Sequence, residues 1–506
     1  MAEPRAAAGA ERDPVIVGVG QVNDRTASGV VGLPVLTLIA EAARAADKDS
    51  RAALLKEADW LGVVDALSWE RRPEPLHPAL AEALGLSPRH GETSASPSGN
   101  EPVRLLGDAA NAIAAGEAEV ALIAGGEAMR SMAARHQGER GGVASGTDII
   151  RDYRASGEAD LLRRYGVVTP VDVYPFYEQA TRAAWGQSVA QANAESGAIW
   201  EGLSRAATAN PWAWLREPVG STDIVTPSPT NPMVSYPYTK LMIANSSVNQ
   251  AAAVILTSAG RARRAGLSDE RLIHVGYGAA ANEPAANLDR ATFHHSPSMQ
   301  VVLEQALRLN ALEIGEIDRV ELYSCFPCVP KMARRILQWP LSRPHSLYGG
   351  LTFGGGPIGN CMTHAVAMAV RTMRGGGGNA LIFANGGFAT KNEAIVLTAR
   401  PLPGGREVRT HDVQQQADRL RGPVPVLVGT YSGPARLETY AVPFARNGEP
   451  SHANLLVLTD DGRRCLCRIE AGEGALAALV DPTREPIGRA GTVDVRGEGL
   501  CSWTFA

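Results

Sequence analysis

The chain has 506 residues, 45% of them hydrophobic and 20% charged, with a formal net charge of −4. This composition is typical of a folded globular protein, and the length predicts about three domain-sized units. The slightly acidic balance argues against a protein that binds nucleic acid through a broad basic surface. The start of the chain lacks the apolar core of a signal peptide, and no apolar run is long enough to span a membrane, so we expect a cytoplasmic protein.

The first predicted element is a strand over residues 15–20, a continuous apolar run broken only by glycine. Such runs are typical of strands that are covered on both faces. Helical and strand patterns then alternate, and two segments, 105–126 and 363–387, share one order of helix, glycine, strand and double glycine. In both, nine positions separate the glycine that ends the helix from the first glycine after the strand. This repeat predicts a duplicated α/β fold.

Between the two copies, residues 135–240 have an irregular pattern and contain Trp185, Trp200, Trp212 and Trp214 together with proline-rich tracts. An insertion of this size is typical of a lid or a binding loop, and a packing or dimerisation segment is the alternative. We predict an N-terminal half at 14–270 that includes this insertion, and a C-terminal half at 271–398.

A proline- and glycine-rich linker is predicted at 399–422, and the pattern then changes to short β-rich runs separated by turns. These runs predict a small antiparallel β-barrel, similar to an OB-fold, over 423–506. Cys465 and Cys467 alternate on one of its strands, which predicts ordinary packing. Cys325 and Cys328 have C-x-x-C spacing, but no second pair follows, so no metal site is expected.

Five blocks, in the same order along residues 14–398, resemble the thiolase superfamily. They are 99–129, which ends in AAGEAEVALIAGGEAM; 245–253 (NSSVNQAAA), similar to A-S-G-x-N-D-G-A-A; 323–326 (YSCF), similar to N-E-A-F or to H-D-C-F of the sterol-carrier-protein branch; 350–359 (GLTFGGGPIG), similar to the G-H-P-x-G loop; and 384–387 (ANGG), similar to C-x-G-G. The resemblance implies two βαβαβαββ halves in a five-layer sandwich, and a coenzyme A thioester as ligand.

The catalytic positions of that family are vacant in this chain. Gly99 matches the nucleophilic cysteine, or Ser96 does if a small insertion is allowed. Gly356 matches the histidine of G-H-P, and Ala384 matches the second cysteine. Glycine and alanine can neither attack a thioester nor transfer a proton, so the thiolase reaction is not expected.

Three residues near these positions are candidates for catalysis. Tyr323 matches the histidine of H-D-C-F, Cys325 its cysteine, and His364 lies on the helix after the glycine-rich loop. A tyrosine at this position resembles thiolase-like lyases that cleave acyl-CoA side chains by retro-aldol chemistry, and those lyases pair with an OB-fold protein. For each residue, packing or capping is the alternative.

Four further residues are candidates for ligand binding. Ser246 matches a thiolase position that touches the pantetheine of coenzyme A, and the backbone N–H groups of Asn385, Gly386 and Gly387 could hold an anion. Three hypotheses for function follow: an acyl-CoA-binding protein without thiolase activity, a carbon–carbon lyase that uses Tyr323, or a non-catalytic scaffold. The chain is expected to be a monomer or a dimer.

Overall fold

The structure is a computed structural model and describes residues 11–27, 29–140, 160–401 and 410–506. Its strands, in chain order, are β1 (Pro14–Asn23), β2 (Trp60–Val63), β3 (His90–Thr93), β4 (Val120–Ala128), β5 (Met233–Tyr236), β6 (Tyr238–Thr239), β7 (Asn249–Ser258), β8 (Ile273–Asn282), β9 (Arg319–Leu322), β10 (Asn379–Gly386), β11 (Lys391–Thr398), β12 (Thr410–Asp412), β13 (Leu427–Val428), β14 (Gly433–Pro443), β15 (His452–Thr459), β16 (Arg464–Glu470), β17 (Ala490–Val495) and β18 (Cys501–Phe505).

The α-helices connect these strands and build the insertion. In chain order they are α1 (Val35–Ser50), α2 (Leu76–Leu84), α3 (Glu101–Ala115), α4 (Met129–Arg140), α5 (Asp160–Tyr165), α6 (Pro170–Ala184), α7 (Val189–Ala209), α8 (Ser221–Val225), α9 (Ala259–Arg264), α10 (Pro297–Leu309), α11 (Cys328–Ile336), α12 (Cys361–Gly376), α13 (Gln414–Leu420) and α14 (Gly474–Val480). In the described parts of the chain, no helix is both long and apolar enough to cross a membrane.

A ten-stranded mixed sheet forms the body of the protein, in the order β3-β2-β4-β7-β1-β8-β11-β10-β9, with β12 beside β8. Its two halves meet where β1 and β8 pair through Val15 with His274 and Ile16 with Ile273. Helices α3 and α12 pack against each other and against strands of both halves. Because α1 covers the outer face of the first half and α10 that of the second, helices and sheets alternate in five layers. The predicted duplicated α/β architecture is confirmed.

The first half follows the βαβαβαββ order through β1, α1, β2, α2, β3, α3, β4 and β7. The second half departs from it at one place, because no described strand separates α11 from α12. There the chain near His345 gives β9 a single backbone hydrogen bond, from Leu322 N to His345 O. This segment contains Pro340 and Pro344. Because proline has no backbone N–H to donate to a neighbouring strand, a regular edge strand is disfavoured here.

The described part of the predicted insertion is mainly helical and ends in the short strands β5 and β6, although its sequence pattern predicted irregular chain. Capping boxes start two of its helices, Thr169 with Asp172 at α6 and Ser188 with Gln191 at α7, and Trp200 is fully buried. Such caps satisfy backbone N–H groups that are free at a helix start, which favours helix over loop. Residues 141–159 lie outside the described residues, and the limits of the insertion stay a prediction.

Strands β14 to β18 close into a barrel, as predicted. The ring runs β14-β15-β16-β18-β17 and back to β14, and helix α14 connects β16 to β17. Four of its pairings are antiparallel, while β16 and β18 are parallel. This strand order is that of an OB-fold. Cys465, Cys467 and Cys501 lie buried in the barrel core with Trp503.

The barrel is joined to the sheet body by polar contacts and by a short strand pairing. Arg464 is fully buried, forms an ion pair with Glu438 and donates hydrogen bonds to the backbone oxygens of Leu288 and Arg290. Strand β14 also pairs with β5, which belongs to the insertion. Charged hydrogen bonds in buried places stabilise such an interface, because water cannot replace them.

Candidate functional site

The candidate site begins with three neighbouring strands whose side chains share one face. Ala384 of β10 pairs directly with Glu393 of β11, and Phe383 pairs with Leu322 of β9. Tyr323 continues β9 by one residue, and its N–H donates to Phe383 O at 3.2 Å. Residues at one level of a sheet point to the same face, so Tyr323, Ala384 and Glu393 stand in a row. This row faces the chain that leads into α3.

Gly99, just before α3, is in contact with this row. A Cβ atom at Gly99 would lie 2.3 Å from Tyr323 Oη and 2.6 Å from the backbone oxygen of Asn385. The phenol therefore occupies the space that a side chain at position 99 would need. The alternative, Ser96, lies in the preceding loop, where its carbonyl oxygen accepts from Ser98 N.

Tyr323 is buried, and its hydroxyl donates a hydrogen bond to the sulfur of Cys361. Burial is the main cause that raises the pKa of Tyr323 well above its usual value. Burial likewise raises the pKa of Cys361 to about 12, although the Tyr323 hydroxyl opposes this. Cys361 is the first residue of α12, a place that can favour a thiolate, yet here the thiol is protonated at neutral pH. The sequence analysis did not single out Cys361; its place two residues after Gly359 was the available signal.

Three of the family-like blocks are connected by backbone hydrogen bonds beside Tyr323. Ala244 N donates to Cys325 O, Asn245 N donates to Leu351 O, and Gly356 N donates to Asn245 O. A Cβ atom at Gly356 would lie 3.3 Å from two of these carbonyl oxygens, so a larger residue there requires the loops to shift. Ser246 follows in the same loop and is half-buried. The blocks quoted from the sequence thus converge in space.

Cys325 lies next to a tyrosine that the insertion supplies. The Tyr174 side chain of α6 is hydrogen-bonded to the Cys325 side chain, and its ring stacks on Phe326 at 4.4 Å between ring centres. The Tyr174 hydroxyl also accepts a hydrogen bond from Ala389 N and lies 3.4 Å from Gly387 O. The insertion therefore forms part of the site wall, which the sequence pattern did not reveal.

His364 is paired away from this row, with a residue of β1. Its Nδ1 is 3.0 Å from Gln21 Nε2, and its Nε2 is buried without a hydrogen-bond partner among the described residues. Burial lowers the pKa of His364 to about 3, so the ring is neutral at physiological pH. This placement favours a buried polar contact between α12 and β1.

Asn385, Gly386 and Gly387 lie at the end of β10. Asn385 donates through its side chain to Asn392 Oδ1 at 2.8 Å. A Cβ atom at Gly386 would lie 2.2 Å from Ser98 Oγ and 2.4 Å from Asn100 Oδ1. Glycine here lets the polar turn before α3 approach β10 closely. That these backbone N–H groups hold an anion stays a prediction.

Glu393 completes the site and was not expected from the sequence. It is 7% exposed, its Oε1 accepts from Asn100 Nδ2 at 3.2 Å, and its Oε2 has no hydrogen-bond partner in the described chain. Burial raises the pKa of Glu393 to about 8, and the hydrogen bond from Asn100 partly opposes that rise. A buried carboxyl with one free oxygen beside a vacant catalytic position is a candidate for proton transfer.

Two cavities lie elsewhere on the protein. One, of about 480 Å³, is lined by Trp185, His294 and His295 among others; the second, of about 520 Å³, is lined by Arg319 and His345 among others. Tyr323 lines neither cavity. Among the residues that the structure describes, no group of three or more His, Cys, Asp or Glu is placed to bind a metal ion.

Comparison with known proteins supports the fold of the sheet body and the added barrel. Residues 412–498 match the family "Thiolase-like protein type 1 additional C-terminal domain". The structure is similar to that of a monomeric SCP2-thiolase-like protein type 1 from Mycobacterium smegmatis, with a TM-score of 0.80, 26% identity, and coverage of 98% of this chain and 99% of that one. No match was found among curated proteins.

Two more distant structures share the fold of the sheet body. The Ltp2-ChsH2(DUF35) aldolase has a TM-score of 0.60 and 20% identity, over 77% of this chain and 98% of that one. Human mitochondrial 3-ketoacyl-CoA thiolase in complex with CoA has a TM-score of 0.57 and 15% identity, over 78% and 99%. The chain therefore has the thiolase fold with an additional C-terminal β-barrel, and over nearly its whole length it is similar to an SCP2-thiolase-like protein type 1.

Proposed function

We propose that this protein binds an acyl-CoA, or a related acyl thioester, and does not form the acyl-enzyme of a thiolase. The observation that carries the proposal is the phenol of Tyr323 in the space of a side chain at Gly99. The loops at 244–246 and 351–356 are joined by backbone hydrogen bonds beside Tyr323, and they include Ser246, the position that the resemblance assigns to the pantetheine of coenzyme A. The CoA complex of a protein with the same fold supports a thioester as the ligand class.

Calorimetry with coenzyme A and a set of acyl-CoAs tests the binding. We expect saturable binding and no thiolysis of 3-ketoacyl-CoA by the same preparation. Ser246→Tyr should weaken binding, because it fills the half-buried loop position. Ser432→Tyr, at an exposed place in the barrel, is the matched control and should bind as the unaltered chain does. Absence of binding to every acyl-CoA would contradict the proposal.

A second candidate function is carbon–carbon lyase activity on a β-hydroxyacyl thioester, with Tyr323 as acid/base. It is favoured because the buried phenol lies where the family's reactive sulfur would be. In this reaction the β-hydroxyl loses its proton and the Cα–Cβ bond breaks. An aldehyde or ketone forms, and the α-carbon of the shortened thioester gains a proton. The aldolase with the same fold supports this reaction class.

Assays of β-hydroxyacyl-CoAs with Tyr323→Phe test this second function. General acid–base groups contribute about 10²–10⁴-fold, so cleavage should fall by that factor. Tyr431→Phe, which alters a hydroxyl bonded to Pro434 O in the barrel, is the control and should cleave normally. Equal inactivity of Tyr323→Phe and the unaltered chain would remove the support for lyase activity.

For the oligomeric state we propose a monomer, which is how the Mycobacterium smegmatis protein is described. Sedimentation equilibrium at micromolar concentration tests this, and a stable dimer would contradict it.

A further inference from the structure

The vacancy at Ala384 has a neighbour that can fill it. We propose that Glu393 is the group that removes and returns the α-proton of the bound acyl thioester, in the place left empty at Ala384. This inference rests on the proposed function, because it needs the thioester to bind beside Tyr323. It adds a residue that the five family-like blocks do not contain.

The strand register carries the first step of the argument. Ala384 and Glu393 are direct partners in an antiparallel ladder, so their side chains leave the sheet on the same face. The Cα atoms of such partners are about 4.5–5.5 Å apart, and a glutamate is long enough to reach over an alanine. A carboxyl group from β11 can therefore act where a longer residue on β10 is missing.

Contacts with the turn before α3 carry the second step. Asn100 directly follows Gly99, and its side chain holds one Glu393 oxygen by the 3.2 Å hydrogen bond. Asn100 is itself held by Ser98, whose Oγ donates to Asn100 Oδ1 at 2.7 Å. The same turn brings Gly99 against the Tyr323 phenol. Glu393 and Tyr323 thus both meet residues 99–100, and the free Glu393 oxygen remains for a ligand.

The charges around Glu393 fit a carboxyl that changes protonation near neutral pH. Glu101 and Asp108 of α3 face it and raise its pKa, whereas Arg104 of α3 and the Asn100 hydrogen bond lower it. Lys391, two residues before Glu393 on β11, places its Nζ 3.7 Å from Glu101 Oε1. Burial outweighs the lowering contributions, which makes Glu393 a stronger base than an exposed carboxylate once it is ionised.

The proposed step is balanced within the site and the bound thioester. The Glu393 carboxylate takes one proton from the α-carbon, and the electron pair of the broken C–H bond forms the enolate of the thioester. The resulting carboxylic acid returns a proton to the same carbon. In D₂O, exchange of that acid with solvent replaces its proton by deuterium, so a C–D bond forms in place of the C–H bond and the step is visible without any carbon–carbon bond being made or broken.

Deuterium incorporation into acetyl-CoA and longer acyl-CoAs, followed by mass spectrometry in D₂O, tests the inference. The full-length protein should exchange the α-protons above the rate without protein, and the rate should rise with pD through the Glu393 ionisation. Glu393→Gln should bind the acyl-CoA equally in calorimetry and exchange about 10²–10⁴-fold more slowly. Glu393→Asp should retain part of the activity.

Glu321→Gln is the matched control, because Glu321 is also buried, has a pKa raised to about 8 by burial, and has an Oε1 without a hydrogen-bond partner in the described chain. Its carboxyl is held by Ser346 and Leu347 N, and the variant should exchange normally. Asn100→Ala is a second measurement on another residue. It removes a contact that lowers the pKa of Glu393, so the midpoint of the exchange profile should move to higher pD.

The outcomes separate this inference from the proposed function. Binding without α-proton exchange, or exchange that survives in Glu393→Gln, overturns the role of Glu393 and leaves the binding proposal in place. Loss of exchange in Glu321→Gln but not in Glu393→Gln also overturns it. Absence of binding by the unaltered protein overturns the proposed function and the inference with it.

Discussion

At the scale of single residues, the main feature of the site is that the Tyr323 side chain fills the space that a side chain at position 99 would occupy. A thiolase-like nucleophile at position 99 and a phenol at position 323 cannot both be present without rearrangement, because the two would overlap. The vacancy at Gly99 is thus coupled to a particular residue 224 positions later in the chain. Restoring a cysteine at position 99 alone should not restore the family's reaction.

Substitution of Gly99 by alanine tests whether Tyr323 fills this space. We expect Gly99→Ala to lower the free energy of unfolding by about 1–3 kcal/mol, because the added methyl group overlaps the phenol. Urea denaturation measures the effect. Gly202→Ala in α7 is the control: nothing lies within 4 Å of its Cβ position, so it should be neutral or stabilise by about 0.5–1 kcal/mol. Equal effects of the two substitutions would show that Tyr323 does not fill the space.

The buried Glu393 also predicts a pH effect on stability. Its folded pKa of about 8 is above the unfolded value of 4.5, so it favours folding less as pH rises between these values. Glu393→Gln removes this ionisation and should stabilise the protein at pH 7 by up to about 3 kcal/mol, with little gain near pH 4. Urea denaturation at both pH values checks this. A variant destabilised at pH 7 would contradict the raised pKa.

At the scale of elements, the insertion is fixed to the sheet body by a buried ion pair. Lys331 of α11 donates to Glu178 Oε1 of α6 at 2.5 Å and to Ala192 O of α7 at 2.9 Å. The Tyr238 hydroxyl donates to the second oxygen of Glu178. Both charged side chains are almost completely buried. This pair holds α6, which carries Tyr174, against the helix that follows Tyr323 and Cys325.

Removal of one partner from this pair should be more harmful than removal of both. Lys331→Met leaves the Glu178 charge buried and should destabilise the protein by about 3–5 kcal/mol. The double variant Lys331→Met with Glu178→Leu should recover a large part of that loss. Chemical denaturation of the single and double variants measures the coupling. Additive losses would argue that the two side chains act independently.

At the scale of the whole molecule, the barrel and the sheet body share one core. Ala441, Leu456 and Leu466 of the barrel belong to the same hydrophobic cluster as β9, β10 and α12 of the body. Arg464 adds buried hydrogen bonds across the junction. The barrel is therefore an added domain that also contributes side chains to the hydrophobic core of the sheet body.

Calorimetry tests this shared core. We expect one unfolding transition for the full chain, and Arg464→Met should lower its midpoint for barrel and body together, because it leaves Glu438 and two carbonyl oxygens unpaired. Arg436→Met is the control, since Arg436 is an arginine of the same barrel whose hydrogen bond to Gly488 O is long, at 3.5 Å, and stays within the barrel. Two separated transitions, with Arg464→Met affecting one of them, would contradict a common core.

The sequence predicted the fold better than the site. Glycine positions and apolar runs determine where α3, β4, α12 and β10 end, because a left-handed turn or a buried strand restricts the allowed residues locally. The capping boxes of α6 and α7 were also local signals, but the density of tryptophan and proline in the insertion led to the expectation of irregular chain. Resemblance to the family's motifs located Tyr323, Gly99 and Ala384.

Glu393, Cys361 and Tyr174 could not be predicted in the same way, since their roles depend on strand register and on packing between distant segments. Nothing in the local sequence shows that Glu393 is opposite Ala384, or that Tyr174 of the insertion reaches Gly387. For His364 the sequence left catalysis and packing as alternatives, and its hydrogen bond with Gln21 of the distant strand β1 could not be predicted from local sequence either.

The central position of β1 has a consequence for how the chain folds. Pro14 pairs with Ser258 and Asn23 with Gln250, so the first strand has no partner until β7 is available. Long sequence separation between contacting residues slows folding, and unpaired apolar strands promote aggregation during the delay. We therefore expect slow refolding from denaturant, with yields that fall as protein concentration rises and improve when a chaperone shields β1.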